Sequence, residues 1–149
     1  MNPLSRRSAL LGLVASAVAM AQRHPDYGRA LSDLRMARFI LTRPGSYRTE
    51  DEQRRAVNRI NNAIRDIERA AISAHQNPAW REPNDVPPGR ADRFRRARAA
   101  VASALRDIQQ WEANPNASAW RGRAVQDLNE ALREIDIAIQ ERRGGPPPR

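Results

Sequence analysis

The chain has 149 residues, 26 basic and 17 acidic side chains, and a formal net charge of +9. It holds no cysteine, which excludes disulfides, thiolate metal sites and covalently attached c-type haem. Every basic residue is arginine, and the surplus makes anionic partners more plausible than cationic ones.

The first element is an export signal. Arg6 and Arg7 form a short basic region, Ala9 to Val18 is apolar, and Ala19-Met20-Ala21 fits a small-x-small cleavage pattern. The mature chain is then expected to start at Gln22. The apolar stretch from Ser8 to Ala21 is too short to span a bilayer comfortably. Ser5-Arg6-Arg7-Ser8-Ala9-Leu10-Leu11 resembles a twin-arginine export motif, with Ala9 where Phe is usual and Leu11 where Lys is usual. An ordinary Sec signal fits equally well. No cysteine is present to carry a lipoprotein anchor. The expected destination is the bacterial periplasm or beyond.

A first helix is predicted over about 26–41, with Tyr27, Ala30, Leu34, Ala37 and Leu41 at helical spacing and Pro44-Gly45 as its stop. A second is predicted over about 50–75. Its stripe is Val57, Ile60, Ile64, Ile67, Ala71 and Ala74, and Thr49 with Glu52 is read as a capping box. Pro78, Pro83, Pro87 and Pro88 then mark a linker. A third helix is expected over about 91–111, carrying Phe94, Ala97, Val101, Ala104, Ile108 and Trp111. A fourth is expected over about 119–142, carrying Val125, Leu128, Leu132, Ile135 and Ile139. Gly144-Gly145 and three prolines end it. No segment reads as a strand.

Residues 55–71 (RAVNRINNAIRDIERAA) align without a gap on 123–139 (RAVQDLNEALREIDIAI). Arg55/Arg123, Val57/Val125, Asn61/Asn129, Arg65/Arg133 and Ile67/Ile135 are identical, and Asp66/Glu134 keep their charge. The first and third helices pair as well, through Tyr27/Phe94, Ala30/Ala97, Leu34/Val101, Ala37/Ala104 and Leu41/Ile108. The repeating unit is a helical hairpin. One hairpin cannot bury its own apolar seam, and two can bury each other's. The expected fold is an all-α, antiparallel up-down four-helix bundle. Its parts are a signal at 1–21, a domain at 22–143 and a disordered Gly/Pro tail at 144–149. The domain holds hairpins at about 25–76 and 91–143, joined by 77–90. An up-down-up-down order would put the turns 42–48 and 112–118 at one end. The mature N-terminus, the linker and the ends of the second and fourth helices would share the other.

His24-Pro25-Asp26-Tyr27, followed by Ala30-Leu31-Ser32-Asp33-Leu34-Arg35 and Ala37-Arg38, resembles a family of small exported bacterial helical proteins. Asp66-Ile67-Glu68-Arg69-Ala70-Ala71 and Arg123-Ala124-Val125 are similar as well. The resemblance implies export and a helical fold, and it implies no catalytic residues.

Candidate chemistry is sparse. His24 and His75 are the two histidines. The up-down-up-down order puts them at one end, where Asp26, Asp92 and Glu141 could join them as metal ligands. Two exposed histidines at helix ends fit the pattern too. Cleavage after Ala21 would give a Gln22-Arg23-His24 start, whose amine, two amides and imidazole offer four planar nitrogens to Cu(II) or Ni(II). Met36 is a remote candidate for a haem ligand, with core or flank packing the simpler reading.

Arg93 and Arg96 share a helix face. Trp111, Trp120 and Tyr47 are expected near one turn beside Arg43, Arg48 and Arg121, as a surface for an anion. Export argues against nucleic acid and for anionic lipid, lipopolysaccharide, acidic polysaccharide or a protein partner. A solvated face of paired charges is the plain alternative. There is no Ser/His/Asp order, no nucleophilic cysteine and no glycine-rich phosphate loop, so no enzyme is expected. Nor is a cofactor expected, copper or nickel excepted. Exchange of hairpins between two chains would give a dimer.

Overall fold

The computed structural model describes residues 24–43, 49–79 and 93–144. The expected signal, the Gln22-Arg23 start, Tyr47, Trp80, Asp92 and the end of the tail lie outside the described residues.

Four helices form: α1 (Tyr27–Thr42), α2 (Glu50–Ser73), α3 (Arg93–Ile108) and α4 (Pro115–Arg142). The described residues contain no strand. Asp26 caps α1, its carboxylate accepting from Arg29 N at 2.9 Å. α4 starts a turn earlier than the apolar pattern suggests. Asn114 caps it, its side-chain oxygen accepting from Asn116 N at 3.0 Å and Ala117 N at 3.1 Å, and Pro115 takes the first helical position. α3 correspondingly stops at Ile108, which leaves Trp111 in the turn. The capping box at Thr49 does not form. Thr49 is fully buried and makes no side-chain cap bond, and Glu52 pairs with Arg55 at 2.6 Å instead.

The chain folds as an all-α antiparallel four-helix bundle. α2 packs most extensively on α4 and α1 on α3, so each hairpin is held chiefly by the other. The seam is richer in alanine than the periodicity suggested. Ala56, Ala63 and Ala70 recur every seven residues on α2, and Ala117, Ala124, Ala131 and Ala138 do so on α4. Ala30 and Ala37 face the core from α1, and Ala97 and Ala104 from α3, at the same interval. Small side chains at that interval let backbones approach closely. Val57, Val125, Leu132 and Ile139, expected in the seam, are only partly buried at its margin.

The ends meet differently from the expectation. Arg29 pairs with Asp107, and Asp26 N donates to Asp107 O, at the start of α1 and the finish of α3. Arg93, at the start of α3, donates to Arg43 O at the finish of α1. α1 and α3 are therefore antiparallel. So are α2 and α4, since Arg55 meets Glu134 and Arg69 meets Trp120. Successive helices run up, down, down, up, and residues 80–92 join opposite ends of the bundle. A linker of that length can do so, because α3 rises only about 24 Å and extended chain covers about 3.3 Å per residue.

The order gives the duplication an internal twofold relation. Arg59 contacts Asp127, its own equivalent 68 positions away, at 3.1 Å. Arg55 pairs with Glu134 at 2.9 Å, and of their equivalents Arg123 acts electrostatically on the Asp66 carboxyl. Within the hairpins the match reaches single hydrogen bonds. Gln53 donates to Leu41 O and Arg43 O, and its equivalent Arg121 donates to the matching Ile108 O and Gln110 O.

Candidate functional site

One end of the bundle gathers the start of α1, the finish of α2, the turn after α3 and the start of α4. A cleft of about 390 Å³ opens there, lined by His24, Ala74, His75, Gln76, Glu112, Ala113 and Asn114. The two histidines do share one end. Glu141, proposed to join them, belongs at the other, where its neighbour Arg142 reaches Phe94. Glu112 supplies the carboxylate in its place, and the sequence held no periodic signal for a turn residue.

The cleft is built by a connected set of hydrogen bonds. Gln76 Nε2 donates to Pro25 O at 2.9 Å, and Gln76 Oε1 accepts from Tyr27 N at 3.3 Å. The segment carrying His24 is thereby tied to the segment carrying His75. The Tyr27 hydroxyl donates to Glu112 Oε2 at 2.8 Å, and Asn114 N donates to Glu112 Oε1 at 2.9 Å. Asn114 Nδ2 reaches Ser73 O at 2.7 Å. Tyr27 is fully buried, and burial, reinforced by the bond to Glu112, raises its phenol above the ordinary value.

His75 has φ 55°, a left-handed backbone in which a residue other than glycine is uncommon. It is the second residue past α2. The same position past α4 is Gly144, with φ 72°. Among the described residues, no three His, Asp or Glu side chains stand together as a ready metal-ligand set. Met36 is partly buried against the core, as the packing reading expects.

The aromatic and arginine residues fall at both ends. Arg93 donates to Arg43 O at 2.7 Å and to Gln53 Oε1 at 2.8 Å, so it closes the far end of α1. Arg96 lies one turn further along α3. Neither meets Trp111, Trp120 or Arg121, which lie at the histidine end. Arg121 is committed to the carbonyls that finish α3. What remains there is an arginine–tryptophan stack that the sequence did not reveal. The guanidiniums of Arg69 and Arg123 stand 4.5 and 4.0 Å from the Trp120 ring centroid. Both arginines also act on Asp66, whose carboxyl burial raises above its usual range against their pull. Trp111, in the adjoining turn, is 58% exposed.

No family model, curated protein or solved structure matches the chain. Among the described residues no helix is long and apolar enough to cross a membrane.

Proposed function

We propose that this is an exported, non-enzymatic helical bundle that binds an anionic envelope component. A protein partner with an acidic surface would use the same face. The observation that carries the reading is the Arg69–Trp120–Arg123 stack, at the same end of the bundle as the exposed Trp111. Several other arginines are drawn into the bundle itself. Arg55 and Arg59 bind α4, Arg98 binds Asp136, Arg35 binds Glu68, and Arg93 and Arg121 close helix ends. Arginine guanidiniums present paired donors to phosphate or carboxylate, and an exposed indole suits the boundary between lipid and water. Nucleic acid is disfavoured by the expected export. The resemblance to small exported bacterial helical proteins supports the compartment and adds no chemistry.

The test is tryptophan fluorescence of the mature protein with vesicles of phosphatidylglycerol and of phosphatidylcholine, in the presence of a chelator. A blue shift on the anionic vesicles, lost in Trp111→Ala and reduced in Arg69→Gln/Arg123→Gln, supports the reading. No shift with vesicles, lipopolysaccharide or acidic polysaccharide sinks it.

A second reading, periplasmic binding of copper, nickel or zinc, is favoured by one observation: His24 and His75 line the same cleft. A dimer formed by hairpin exchange is compatible with either reading, because the two hairpins meet through equivalent surfaces.

A further inference from the structure

We infer that the end cleft binds one divalent transition-metal ion of the zinc, copper and nickel class, with the His24 and His75 imidazoles and the Glu112 carboxylate as its protein ligands. The inference rests on the second reading above and adds to it a third ligand and a fixed place. Two imidazoles and one carboxylate suit borderline metals and leave coordination positions for water or a ligand.

Three observations carry it. First, all three groups line a single cleft. The three do not stand together as a ready ligand set, so binding requires the exposed His24 and His75 imidazoles to turn toward Glu112. Second, the carboxylate is held in place by groups behind it. Tyr27 and Asn114 each donate to one of its oxygens and leave each oxygen a further lone pair. Such outer partners are what orient ligands in metal sites. The equivalent of Tyr27 in the other hairpin is Phe94, which has no hydroxyl to offer. Third, His75 occupies a left-handed position that the other hairpin gives to Gly144. A glycine would close α2 at less cost, so the imidazole is kept there against the local backbone preference.

The experiment is calorimetric titration of the mature protein with zinc chloride in a non-coordinating buffer, without lipid. One equivalent should bind, and the affinity should fall at least tenfold in His75→Gly, in His24→Ala and in Glu112→Gln. His75→Gly is expected to fold, since glycine accepts the left-handed backbone without cost. His75→Asn, which also accepts the left-handed backbone, repeats the test if it does not. Absence of one-equivalent binding overturns the inference. So does zinc affinity unchanged in His75→Gly and Glu112→Gln. Copper or nickel binding that survives both variants and disappears when the α-amine is blocked would assign the ion to the Gln22-Arg23-His24 start and also overturn the cleft. The vesicle experiment is run with chelator, so its outcome is independent of this one.

Discussion

The two ends of the bundle are copies of one another by duplication, and they have been finished in different ways. At the arginine end Phe94 is covered by Arg93 and Arg142, and Gln53 and Arg93 close the last carbonyls of α1. At the histidine end Tyr27 stands where the other hairpin has Phe94, His75 takes the left-handed position past α2 that Gly144 takes past α4, and a cleft opens. Arg121 closes α3 there as Gln53 closes α1, so helix termination is common to both ends. The shared residues account for the fold. The binding proposed above draws on residues at the histidine end that the duplicate does not carry, Trp120 and His75 among them.

The comparison breaks first if the hairpins are not equivalent in the core. Ile67→Ala and Ile135→Ala remove matching, fully buried side chains. Each should cost about 2–5 kcal/mol in urea denaturation, and the two should agree within about 1 kcal/mol. A large gap between them would show that one hairpin dominates the core.

Exchanging the aromatic residues sharpens the contrast between the ends. Phe94→Tyr buries a hydroxyl where the other end has Glu112 to receive it, and should cost about 1–3 kcal/mol. Tyr27→Phe should cost about 1 kcal/mol and release Glu112, visible as a shift of its carboxyl resonance. A neutral or stabilising Phe94→Tyr would deny that the ends differ.

The helix closures give a smaller effect of opposite sign. His75→Gly should raise stability by up to about 1 kcal/mol, while Gly144→His should lower it by a similar amount, both read from thermal unfolding. Loss of stability in His75→Gly would mean that the imidazole supports the fold rather than the cleft.

The smallest effect concerns Asp107, whose carboxyl burial raises above its usual range, with Asp33 and Asp26 adding to the shift and Arg29 and Arg106 opposing it. A raised carboxyl keeps its proton to higher pH when folded than when unfolded. Its contribution is therefore present in acid and declines as pH rises through the folded-state titration. Asp107→Asn should flatten that limb, with a change below about 1 kcal/mol at neutral pH. Urea midpoints measured from pH 3 to 7 check it.

Much of the fold was legible because the duplication repeats core positions. Ile60, Ile64, Ile67, Leu128 and Ile135 carry the periodicity and are buried as expected. The alanine seam was harder to see. Ala63 and Ala131 look neutral in an apolar pattern, yet their small volume is what sets the helix approach. The start of α4 was missed because Asn114-Pro115 reads as a turn, and it is a cap followed by a first-turn proline. The order of the ends was illegible, since a proline-rich linker can turn back or run the length of the bundle without changing any helical spacing. That choice moved Trp111 and Trp120 from the company of Arg43 to that of His24 and His75. The place of Glu112 and the stacking of Arg69 and Arg123 on Trp120 were illegible for a related reason, because both depend on neighbours distant in the chain.

The central claim is that binding belongs to the end where the two hairpins differ. The most direct measurement is an amide ¹H–¹⁵N correlation spectrum of the chain from Gln22 onward, titrated with short-chain phosphatidylglycerol. The largest shifts are expected within residues 69–76, 109–114 and 117–124, with little change at 39–43 and 93–98. Shifts centred on 39–43 and 93–98, or spread evenly over both ends, would contradict the account.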